Sequence, residues 1–232
     1  MQTKTIGLLG GIGWASTAQY YRILNAMTAE RMGDAHSARL VVLSMNQFDF
    51  TSRAGEATPH AIEQFLIEQT QRLKAAGADF FLLCANGAHR FAPTVVAQAA
   101  LPFISIVDET AKRVQASGLR KVALLGVRQT MSGTFYHAAL AARGIDIVTP
   151  DAGDQDKLHE IIYAELVHHR ITAASRRVFQ QIIGKLAAAG AQGVILGCTE
   201  IPLLISQADV DIPVFDTTAI HCEAAHAHAF AP

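Results

Sequence analysis

Cys198 stands where an apolar run stops. The stretch Gly193-Val194-Ile195-Leu196-Gly197-Cys198-Thr199-Glu200-Ile201-Pro202 passes from a buried-strand pattern to a thiol, a hydroxyl and a carboxylate at successive positions. Pro202, followed by Leu203, Leu204 and Ile205, predicts the first turn of a helix, a place that tolerates proline. A thiol at the carboxyl end of a strand in an open α/β sheet faces the crevice where ligands bind. A helix start beside it is expected to lower its pKa and favour the thiolate. On position alone, Cys198 reads equally as one more buried cysteine. Glu200 reads as a group that polarises Cys198 or as a favourable charge at a helix N-terminus.

The chain repeats itself around this stretch. Leu8-Leu9-Gly10 returns as Leu124-Leu125-Gly126, with Ser16 and Ser132 six residues past each glycine and Tyr20 and Tyr136 ten past. Ala75-Ala76-Gly77-Ala78 leads into an apolar run, as does Ala188-Ala189-Gly190-Ala191. Leu101-Pro102-Phe103-Ile104-Ser105 finds a looser partner in Ile212-Pro213-Val214-Phe215-Asp216. The shared order and spacing predict two related lobes. Eight residues past Gly190 lies Cys198, whereas eight past Gly77 lies Ala85, so Asn86 matches Thr199 and Cys84 matches Gly197. The expected site is a cleft between the lobes with a thiol on one wall.

Elements that would position these residues alternate along the chain. Strands are expected at 5–9, 40–45, 79–83, 103–107, 122–125, 145–148, 193–196 and 213–215. Amphipathic helices are expected at 16–31, 58–76, 130–143 and 173–189. That alternation predicts an α/β fold of two pseudo-symmetric lobes, each a mostly parallel four-stranded sheet flanked by helices. The Ser117-Gly118-Leu119-Arg120 loop divides an N-terminal lobe, 1–117, from a C-terminal lobe, 118–216. A last helix, about 217–232, is expected to pack back on the first lobe.

Bulk properties narrow the function. The 232 residues carry a formal charge of −1 without basic runs, which argues against nucleic acid or an anionic membrane as main partner. Three cysteines without paired spacing suit a reducing compartment. No signal-peptide pattern opens the chain, and no apolar run approaches the roughly 18 residues a membrane span needs. A cytoplasmic protein is expected.

Together these residues resemble the aspartate/glutamate racemase family, in particular its bacterial cofactor-independent amino acid racemases. The likeness runs almost end to end through Gly10-Gly11-Ile12-Gly13-Trp14-Ala15-Ser16-Thr17, Tyr20-Tyr21, Asn86 with His89, Thr130-Met131 and Gly197-Cys198-Thr199-Glu200-Ile201-Pro202. The resemblance implies removal and return of an α-proton by two thiols on opposite faces, without a cofactor, on a small acidic amino acid or dicarboxylate. It further implies that Asn86, Thr199 and Thr130 hold the substrate carboxylate, and that the loop after the second strand reaches the distal group, through Gln47 first and Arg53 second. It implies a homodimer. Where the family places its first thiol this chain has Ala85, and where threonine usually follows the asparagine it has Gly87. Four readings stay open at Ala85. They are an introduced substitution, Cys84 turning inward as a stand-in, proton handling on one face by a single-cysteine decarboxylase or isomerase, and an inactive small-acid binder.

Gly11-Ile12-Gly13-Trp14-Ala15-Ser16 nearly spells a dinucleotide fingerprint, but Trp14 crowds the turn and no acidic residue ends the second strand. That turn, with Ile12, is expected to close over a small acid. His221, Cys222, His226 and His228 lack the two-plus-two spacing of a zinc site, so no metal is expected. No lysine sits at a promising strand end for pyridoxal phosphate, and His89 reads as structural.

Overall fold

The structure, a computed structural model, describes residues 3–55 and 59–231. Residues 58 and 232, the outer ends of two expected helices, lie outside them. The chain divides into two compact units, Met1–Ile106 with His221–Pro232, and Val107–Ile220. The crossover thus falls at Ile106, upstream of the Ser117–Arg120 loop.

The first unit is built on a parallel sheet ordered β2-β1-β3, with β1 at Ile6–Gly10, β2 at Leu40–Ser44 and β3 at Phe80–Leu83. Every residue of β1 and β3 is buried, as expected of strands covered by helices on both faces. Helices α1 (Trp14–Met32), α2 (Gln47–Ala54), α3 (His60–Ala75) and α4 (Ala92–Ala99) connect them. In α3, Ile62, Leu66 and Leu73 repeat at helical spacing and are buried, which docks that face on the sheet.

The strand expected at 103–107 shrinks to one parallel bridge, Phe81 to Phe103. Phe81 N–H donates to the Pro102 carbonyl, and Ile104 N–H donates to the Phe81 carbonyl. The chain then turns into α5 (Ile106–Ala116), whose first turn carries Asp108 and Glu109. Those carboxylates favour a helix start, and they take Ile106 and Val107 out of the sheet.

The second unit holds a four-stranded parallel sheet ordered β5-β4-β6-β7. Its strands are β4 (Lys121–Leu125), β5 (Asp146–Val148), β6 (Val194–Leu196) and β7 (Val214–Asp216). The short helix α6 (Arg128–Met131), then α7 (Thr134–Ala141), α8 (Ala152–Ala164), α9 (Ala173–Ala188) and α10 (Thr217–Ala229) complete the order. On α9 the stripe Phe179, Ile182, Ile183 and Leu186 is buried, and the Thr172 side chain caps its start by accepting from Ser175 N–H.

The two tyrosines of the repeat explain why the units do not split at Ser117. Tyr20 on α1 is fully buried and pairs with Nδ1 of His221 on α10, 2.8 Å away. Tyr136 on α7 is fully buried, with its phenol beside the side chains of Thr110 on α5 and Thr217 at the start of α10. Each tyrosine therefore anchors the helix that follows the other half of the repeat. Burial also holds the Tyr136 phenol far above its usual range.

His221 has a consequence for acid stability. Its Nε2 lies 2.9 Å from the Ile104 carbonyl, which only accepts, so Nε2 carries the proton and Nδ1 accepts from Tyr20. Burial first, then nearby His89, push its pKa from 6.5 down to about 3. The unfolded chain takes up this proton near 6.5 while the folded one refuses it until about 3, so stability falls as pH drops through that window. Urea midpoints are expected to decrease steadily between those limits, and the decrease is expected to flatten in His221→Gln. An equal acid slope in both proteins would show that other groups carry the effect.

Candidate active site at the strand ends

Strand β6 ends against β4 through a tight glycine contact. Gly197 N–H donates to the Leu125 carbonyl at 2.7 Å. A Cβ on Gly197 would sit 2.8 Å from the Leu125 carbonyl oxygen and 2.9 Å from Thr130 Cγ2. One on Gly126 would meet the Gly197 carbonyl oxygen at 2.9 Å. Glycine at both places lets Thr130 close onto the strand ends. Its hydroxyl is fully buried and finds no hydrogen-bond partner among the described residues. An orphaned buried hydroxyl carries a desolvation cost that a bound polar ligand can offset.

Immediately past that contact, Cys198 is half-buried while Thr199 and Glu200 are buried. Cys198 Sγ donates to Glu200 Oε2 at 2.9 Å, and Thr199 Oγ1 donates to the same oxygen at 3.0 Å. The expected helix is instead a 3-10 turn, Ile201–Leu203. Three residues align too few peptide dipoles to act as a helix terminus, and the nearest full charge is a carboxylate. The Cys198 pKa is accordingly raised well above the usual thiol range, by burial first and by the Glu200 charge second. This overturns the expected lowering: the Glu200 charge helps to keep the proton on the Cys198 thiol.

In the first unit, β3 ends at Leu83, and Cys84 N–H donates to the Leu9 carbonyl. Cys84 is fully buried among Ile6, Leu8, Tyr20 and Phe80, and burial pushes its thiol far upward. A thiol sealed in an apolar core keeps its proton and meets no substrate, so the stand-in role for Cys84 is set aside. Ala85 is extended and half-buried, with its carbonyl accepting from His89 Nδ1 at 2.9 Å. Asn86 is buried at the start of a 3-10 turn, Asn86–Phe91. At Gly87 a Cβ would meet nothing within 4 Å, so the missing side chain leaves open space. His89 Nε2 accepts from Ile106 N–H at 3.2 Å, which fixes its neutral tautomer in a structural role.

Ile12 is half-buried against the first unit's core, and Gln47 opens α2 behind the Asn46 side-chain cap. The Arg53 guanidinium is held by its own helix, donating to the Asp49 carbonyl at 2.7 Å and lying over the Phe65 ring at 4.6 Å. Its exposed pair with Asp49 adds little stability. Among the described residues no group of three or more His, Cys, Asp or Glu side chains could hold a metal ion. A cavity of about 10 Å³ between Lys4, Arg39 and His226 has room for one water. It lies at the amino ends of β1 and β2, away from the strand ends that carry the candidate residues. No described helix is long and apolar enough to cross a membrane.

Sequence reasoning missed what holds α6. Arg128 pairs with Asp156 on α8, and its N–H donates to His159 Nδ1. No local signal links residues so far apart along the chain.

Residues 9–225 match the description of the Asp/Glu/hydantoin racemases. A candidate Asp/Glu racemase of known structure from Yersinia pestis is 38% identical, with a TM-score of 0.92 over 98% of this chain and 100% of that one. An aspartate racemase homologue from Pyrococcus horikoshii OT3 is 31% identical, with a TM-score of 0.88 over 98% and 100%. The broad specificity amino-acid racemase RacX of Bacillus subtilis is 22% identical across 92% of this chain and 93% of its own length.

Proposed function

The chain belongs to the Asp/Glu/hydantoin racemase family, and from that premise we propose that it moves the α-proton of a small acidic amino acid through Cys198, without a cofactor. The observation that carries this proposal is the shared Glu200 oxygen, which accepts from both the Cys198 thiol and the Thr199 hydroxyl. Glu200 takes the thiol proton, and the resulting thiolate removes the α-hydrogen as a proton. The C–H electron pair stays on the substrate and spreads into its carboxylate. Sγ then returns the proton to the same carbon. Thr199, Thr130, Asn86 and the backbone at Gly87 hold the carboxylate, where charge builds up as the proton leaves. Ile12, Gln47 and, after release from Asp49, Arg53 face the distal group.

One observation favours a second, one-sided version. Ala85 offers only a methyl group at the position matched to Cys198, and Cys84 is sealed. A protein with one working thiol returns the proton to the face it came from, or delivers one after loss of another group, as a single-cysteine decarboxylase or isomerase does. A cytoplasmic homodimer belongs to the same proposal. All three cysteines are free, which suits a reducing compartment, and size-exclusion chromatography tests the dimer.

Glu200→Gln separates a proton acceptor from a spacer. Removing the charge is expected to lower the Cys198 pKa, because the Glu200 carboxylate raises it. It is also expected to slow α-hydrogen exchange about 100-fold, since an amide accepts no proton. Thiol absorbance against pH and exchange in heavy water read the two effects. A lowered pKa with an unchanged rate would remove Glu200 from the mechanism.

A further inference from the structure

Histidines grip both ends of the turn that carries Thr130. At its start, Arg128 N–H donates to His159 Nδ1 of α8 at 3.3 Å, and the Arg128 guanidinium pairs with Asp156 one turn away on that helix. At its end, His137 Nε2 of α7 lies 3.0 Å from the Met131 carbonyl. Between the two grips sits the buried, unpartnered Thr130 hydroxyl.

The grips respond differently to a proton. The Met131 carbonyl only accepts, so His137 donates through Nε2 and continues to donate when its ring is charged. His159 accepts through Nδ1. Protonation there replaces the lone pair with a second N–H that points at the Arg128 N–H, and places a positive charge beside the Arg128 guanidinium.

We propose that neutral His159 is a positioning residue that holds the α6 turn, and through it Thr130, against the strand ends, and that its protonation releases the turn. The charges facing His159 are Arg128 on α6 and Asp156 on α8, and the Tyr163 ring packs against it with centroids 4.7 Å apart. Burial and Arg128 lower its pKa, with Asp156 opposing, so release belongs to mildly acid conditions below the usual imidazole range. The consequence for substrate rests on the proposed role of Thr130, whereas the turn itself is observed without any turnover.

The test follows the full chain by NMR from pH 8 to pH 5. The Thr130 and Met131 amides are expected to shift with the midpoint of the His159 ring, and His159→Gln, which keeps an acceptor and carries no titrating proton, is expected to abolish that shift. In the exchange assay with L-aspartate, KM is expected to rise about tenfold across the same window while kcat changes less, the size of one lost carboxylate hydrogen bond. His159→Gln is expected to flatten the KM profile. Amides that ignore the His159 midpoint, or an unaltered acid shift in His159→Gln, would overturn the proposal. A titrating turn in a protein that exchanges no acidic amino acid would support the positioning and sink the racemase-type reading instead.

Discussion

Cys198→Ala is expected to abolish α-hydrogen exchange, slowing it by about 10³-fold or to background. The side chain is half-buried, and the Glu200 oxygen it donates to is still satisfied by Thr199, so the variant is expected to keep its fold. What it loses is the sulfur proposed to take up and return the proton. Cys198→Ser adds a second arm. A hydroxyl preserves the bond to Glu200 but ionises far less readily than a thiol, so the serine variant is expected to be nearly as slow as alanine. Exchange is followed by loss of the α-proton NMR signal in heavy water, with circular dichroism confirming the fold. A serine variant within a few-fold of the parent would mean that Cys198 positions the substrate and another group moves the proton.

The largest effect on stability is expected at Gly11→Ala. Gly11 has φ of +85°, and a Cβ there would lie 2.1 Å from the Met45 carbonyl oxygen and 2.3 Å from the Met45 nitrogen. Both atoms are backbone, and Met45 N–H is itself bonded to the Gly10 carbonyl at 2.9 Å, so the chain leaving β2 has little room to retreat. Gly77→Ala is the matched control. Its φ of +92° imposes similar backbone strain, but nothing lies within 4 Å of the added methyl. Gly77→Ala is expected to cost about 1 kcal/mol, and Gly11→Ala about 4 kcal/mol or more, enough to leave much of the chain unfolded. Urea titration of both variants reads the difference. Similar costs would mean that β1 and β2 slide apart easily, and the packing described around Met45 would be wrong. Gly11 and Gly13, which nearly spell a nucleotide fingerprint, are thus accounted for at Gly11 by close backbone approach.

How much of this was legible beforehand depended on what each feature rests upon. Strands β1, β3, β4 and β6 are short apolar runs bounded by glycine or polar residues, and local pattern sufficed to find them. The fourth strand expected in the first unit is reduced to one bridge: Phe103-Ile104-Ser105-Ile106-Val107 is as apolar as a strand, but the acidic pair that starts α5 follows just after it. The reverse happened after Cys198, where Pro202 and three apolar residues suggested a helix and the chain made only one tight turn. The expected thiolate failed with that helix. Sequence shows Glu200 two residues from Cys198 but cannot show its side chain turning back to the sulfur. Tyr20 and Tyr136 were found by their matched spacing, yet their anchoring of α10 and α5 depends on contacts between distant segments. The bond from Arg128 N–H to His159 is likewise a product of folding alone.

The central claim is that one thiol, Cys198, moves the α-proton of an acidic amino acid while Ala85 supplies none. The most direct measurement incubates the parent protein in heavy water with each enantiomer of aspartate and glutamate, following deuterium uptake by NMR and configuration by chiral chromatography. Deuterium is expected to enter the α-position of at least one of these acids far faster than its configuration inverts. A folded protein that leaves every α-proton in place, or one in which inversion keeps pace with exchange, would contradict it.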